Sequence, residues 1–155
     1  MERKVIFSLG VLLLACLVLS PLVHEYSHMA AFRSLSGYYF MDVKADSSVH
    51  GSFEALSPLS LAGYSVVLAV GIASSFIIGG ILVYRGRKKE CHISTMAGIG
   101  FLLNPSIAML FPSDMSVLLS FVGLEGISLA LGLFIIGLCV IEANFAAKLI
   151  TRESS

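Results

Sequence analysis

An all-α membrane protein, with about four transmembrane helices and a small β-hairpin after the first, is the fold class this sequence predicts. Three observations carry that prediction. The 155-residue chain is 57% hydrophobic, 13% charged and has a mean hydropathy of +0.92, whereas soluble domains run near a quarter charged. Its apolar residues gather into four stretches, each long enough to cross a bilayer, which takes roughly 20 residues. Between the first two stretches the pattern changes from a continuous apolar run to strict alternation.

The first span is expected over 5–32. It is too long for a signal-peptide core and no small-residue cleavage site follows it, so it reads as a retained helix. A hairpin is expected over 38–55, because Tyr39, Met41, Val43 and Ala45 alternate with Phe40, Asp42 and Lys44, and Val49, Gly51, Phe53 and Ala55 alternate with His50, Ser52 and Glu54. Asp46-Ser47-Ser48 supplies the turn chemistry. The second span, 59–84, carries Gly71, Ser75 and Gly79 at four-residue spacing, a small-residue stripe that lets another helix approach and reads as packing. The third span, 93–122, contains Pro105 and Pro112. The fourth is 126–147, divided from the third at Glu125-Gly126, where a charge beside a glycine makes a poor helix centre in lipid. No linker, charge block or repeat divides the chain, so residues 1–155 read as one domain.

Zero formal net charge and a pI near 6.9 give no sign of nucleic-acid binding. The cations are unevenly placed. Arg3, Lys4, Arg85, Arg87, Lys88, Lys89, Lys148 and Arg152 fall on one side of a four-span layout, and only Arg33 and Lys44 on the other. The positive-inside rule then puts both termini in the cytoplasm of a multi-pass protein, with the cell membrane as the expected location. Cys16, Cys91 and Cys139 form no CxxC pair and read as small buried hydrophobes.

His24-Glu25-Tyr26-Ser27-His28 lies inside the first apolar stretch. Histidines at i and i+4 stack on one helix face and can hold one Zn²⁺. Glu25 stands beside the first ligand, where it can take a proton from a zinc-bound water. Ionisable groups at membrane depth are functional candidates by default, so the pattern points to an intramembrane metalloprotease. A catalytic zinc takes three protein ligands and keeps an open position. Asp114 stands out as the third, because it lies in the proline-broken third span, where irregular backbone is tolerated if it lines a cavity. His24 is nineteen residues beyond Val5 and Asp114 twenty-one beyond Ile93, which places both roughly 30 Å along parallel spans. His50 and His92 lack partners at ligand spacing and read as surface or interfacial residues.

These motifs resemble the site-2 protease family of intramembrane zinc metalloproteases, in a minimal form without PDZ or CBS modules. The resemblance covers most of the chain: His24-Glu25-Tyr26-Ser27-His28 for the HExxH helix, the hairpin for the β element after it, Leu61-Ala62-Gly63 for the entry to the next core helix, and Asn104-Pro105 through Asp114 for the Asn-Pro…Asp-Gly motif. Ser27 and Met115 stand where the family has glycine. The resemblance implies one Zn²⁺ per chain held by His24, His28 and Asp114, with Glu25 as general base and then acid. Asn104 would contact the substrate backbone, and the hairpin edge would hold a substrate strand. The implied partners are a transmembrane protein substrate and the lipid bilayer, with room for a regulatory membrane partner. Two alternatives stand beside this: a catalytically inactive membrane scaffold of the same fold, and a divalent-metal transporter.

Overall fold

The computed structural model describes residues 2–36, 39–45, 49–55 and 59–152. Helix dominates. α1 (Glu2–Leu14) runs through a π-helical stretch (Ala15–Leu19) into α2 (Ser20–Ser36). β1 (Tyr39–Ala45) and β2 (Val49–Ala55) follow, paired antiparallel with Tyr39 opposite Ala55 and Ala45 opposite Val49. α3 (Leu61–Lys88), α4 (His92–Ala108), α5 (Asp114–Ser120) and α6 (Glu125–Arg152) complete the order. The turn residues Asp46, Ser47 and Ser48 lie outside the described residues.

Among the described residues, three helices are long and apolar enough to cross a membrane: Glu2–Leu35, Leu61–Lys88 and Gly126–Arg152. Their outer faces carry exposed large side chains such as Ile6, Leu17, Ile77, Phe134 and Ile141, a distribution that suits lipid rather than water. The expected third span, 93–122, is not one helix. α4 stops at Ala108, and residues 109–113 form an irregular break before α5. Pro112 explains the stop, because its ring disfavours helical geometry at Phe111 and it has no N–H to donate. Leu110 and Phe111 close the end by donating to the carbonyls of Ile107 and Ala108, three residues back. Pro105, by contrast, is carried inside α4.

The π-helical stretch has a similar local cause. Ser20 donates its N–H to the Ala15 carbonyl, five residues back. Pro21 comes next, and in a regular helix its ring would crowd the Leu17 carbonyl; the wider turn relieves that clash.

The break before α6 also sits earlier than expected. Gly123 has φ of 71°, and its N–H reaches the Ser120 carbonyl while that of Leu124 reaches Leu119. This glycine-terminated pattern closes α5, whereas Gly126 is taken into α6.

α4 is the central helix, packed against α1, α3 and α6. Met96 and Ile99 of α4 meet Cys139 and Ala146 of α6 in the core. Gly79 of α3 and Gly98 of α4 bring the two backbones together: a Cβ on Gly98 would lie 2.8 Å from the Gly79 carbonyl oxygen. Arg87, at the end of α3, donates to Glu142 of α6 at 2.8 Å and lies over the Phe145 ring.

Candidate metal centre

The centre is built from the middle of α2, one face of α3 and the first residue of α5. His24 and His28 project from α2 one turn apart, their ring centroids 4.3 Å from each other. The irregular break delivers Asp114 to the same place as the first residue of α5. Ser113 prepares this turn: its N–H donates to Ser116 Oγ at 2.8 Å, and the Ser116 hydroxyl donates to the Ser113 carbonyl at 2.7 Å.

Three donor atoms converge. His28 Nε2 lies 2.8 Å from His24 Nε2 and 2.8 Å from Asp114 Oδ2, and His24 Nε2 lies 3.0 Å from Asp114 Oδ2. The second ring nitrogen of His28 is already committed, because Nδ1 sits 2.8 Å from the Val67 carbonyl oxygen of α3. A carbonyl only accepts, so Nδ1 carries the proton and Nε2 turns its lone pair inward. A backbone carbonyl fixing the tautomer of a ligating histidine is the usual outer-shell arrangement of a metal site.

This donor set fits a metal ion. Tetrahedral ligands at the usual zinc distances stand about 3.3 Å apart, so the three atoms need to spread by only about 0.4 Å. The exposures are graded, with the side chains of His28 at 4%, His24 at 20% and Asp114 at 37%. His28 forms the back wall, and the approach is from the Asp114 side.

The other residues singled out in the sequence are placed as follows. Glu25 is half-buried next to His24 on α2. Asn104 is half-buried on α4. His92 is buried at the start of α4, which corrects the surface placement expected for it. The side chain of His50 lies outside the described residues.

The α3 stripe does more than pack. A Cβ on Gly71 would overlap the His28 imidazole, so the ring occupies space that only glycine leaves open. One turn on, the buried Ser75 hydroxyl lies 3.2 Å from the Ser20 hydroxyl of α2, which is also 3.4 Å from the Phe101 carbonyl of α4. That carbonyl has lost its helical donor, since Pro105 stands four residues later. Val67, Gly71 and Ser75 therefore form one face of α3 that orients α2 and its histidine. The regular spacing of the small residues was the visible signal for this face; the role of the Val67 carbonyl left no mark in the sequence.

No family model, curated protein or solved structure matches this chain.

Proposed function

We infer that this chain is an intramembrane zinc metalloprotease that hydrolyses peptide bonds of membrane-embedded substrates. The observation that carries the reading is the convergence of His24 Nε2, His28 Nε2 and Asp114 Oδ2 on one point, with His28 locked in the ligating tautomer by Val67. A two-histidine, one-carboxylate set that leaves a position open suits catalytic zinc. The ion would supply a Lewis acid and lower the pKa of the attacking water. Glu25, beside His24, takes the proton from that water and returns it to the departing amine. The more exposed Asp114 side is the open side, where the scissile carbonyl enters.

In this reading α4, the break and α5 together make a fourth crossing, and the cationic ends of the chain face the cytoplasm of the cell membrane. The β1–β2 edge offers main-chain hydrogen bonds to an unwound substrate strand, and Asn104 serves as a further substrate contact. Resemblance to the site-2 proteases supports this through the same residues. The scaffold and transporter alternatives have no observation of their own.

The test pairs metal content with cleavage. Wild type is expected to bind about one zinc and to cut single-span substrates reconstituted with it in liposomes. Glu25→Gln keeps the zinc and loses cleavage by at least about a hundredfold, the scale of general acid–base catalysis. Undiminished cleavage by that variant sinks the assignment.

A further inference from the structure

We propose that a groove between α1, α4 and α6, at the end of the molecule where α1 begins and α6 ends, holds one acyl chain of an anionic glycerophospholipid from the surrounding bilayer. α1 and α6 both pack on α4 but scarcely touch each other, which leaves a cavity of about 320 Å³. Val5, Leu9, Met96, Ala143, Ala147 and Ile150 line it. Ala143 and Ala147 stand one turn apart on α6, so two small side chains hollow the same face.

Two polar side chains join this lining, Ser8 and Thr151, and the Thr151 hydroxyl is already spent on the Lys148 carbonyl at 2.8 Å. Ser8 is fully buried, and its hydroxyl has no hydrogen-bond partner. A serine in an apolar helix ordinarily returns its hydroxyl to the carbonyl four residues back, as Ser27 and Ser34 do here. Ser8 keeps its donor unspent, at a cost that an acceptor in the groove would remove. Six residues beyond Glu2, Ser8 lies about 9 Å into the helix. That is close beneath a headgroup layer roughly 5–7 Å thick, the depth at which ester carbonyls lie. The Ser8 hydroxyl donates to one of them while the adjoining part of the tail lies along the groove.

The headgroup charge follows from the rim. Lys4 stands one turn before Ser8 on α1, and Lys148 follows Ala147 directly on α6, with Arg152 one turn further. In sequence the acidic residues of these two ends are Glu2 and Glu153, against the four cations Arg3, Lys4, Lys148 and Arg152. The excess of cations favours a phosphodiester without a compensating amine. The site lies sixteen residues from His24 along α1 and α2, about 24 Å away, and depends only on the helices lying in a bilayer.

Native mass spectrometry of the full chain, stripped of co-purified lipid and titrated with phosphatidylglycerol or phosphatidylcholine of equal tail length, tests this. One phosphatidylglycerol is expected to bind at least about tenfold more tightly than phosphatidylcholine. Ala147→Phe fills the groove and abolishes that binding, and Ser8→Ala weakens it by roughly fivefold, about one neutral hydrogen bond. Metal content stays at the wild-type value in both. Ala143→Leu serves if Ala147→Phe lowers the melting temperature. Equal binding of the two lipids, or unchanged binding in folded groove-filling variants, overturns the proposal.

Discussion

Gly71 and His28 share one volume: the imidazole ring of α2 rests where a side chain on α3 would begin. The helix that carries the histidines is thus held against a surface shaped for one of them, and the Val67 carbonyl on that surface sets the ring's proton. Gly71→Ala is expected to push the ring off its carbonyl. Overpacking of this kind costs about 1–3 kcal/mol, and the loss should appear first as zinc affinity reduced by tenfold or more in competition with a chelator. Wild-type affinity in a folded Gly71→Ala protein would mean that the ring is not held in this position.

Asp114 reaches the histidines only because the chain breaks between α4 and α5. Asp114→Ala removes one of the three donors and is expected to lower bound zinc from about one per chain to well below half in metal-buffered detergent solution. Full retention in that variant would show that another group completes the site.

Ser75 and Ser20 meet without exposure to solvent. Ser75→Ala leaves Ser20 the Phe101 carbonyl and is expected to cost about 1 kcal/mol. Ser75→Leu drives α2 away from α3 and should weaken zinc as well as lower the melting temperature. The contrast between the two variants separates a lost hydrogen bond from a displaced helix.

Gly123 holds the positive φ that closes α5. Gly123→Ala introduces backbone strain of about 1–2 kcal/mol, seen as a lower thermal midpoint. Zinc binding changes less, since the strain falls nine residues after Asp114.

Local order was legible in the sequence because it depends on near neighbours. The i, i+4 spacing of His24 and His28 places them on one helix face whatever surrounds that helix, and the apolar lengths of the first, second and last helices follow from composition. The limits of α4 were less legible. Hydropathy averages over residues 93–122 and passes across both prolines, yet Pro105 is absorbed with its orphaned carbonyl lying near the Ser20 hydroxyl, while Pro112 ends the helix. Which proline breaks the chain depends on what lies against it. The meeting of Asp114 with histidines 90 and 86 residues away, the carbonyl that sets the tautomer of His28 and the glycine that makes room for its ring were decided by tertiary structure alone, because each belongs to a contact between helices rather than to any one segment.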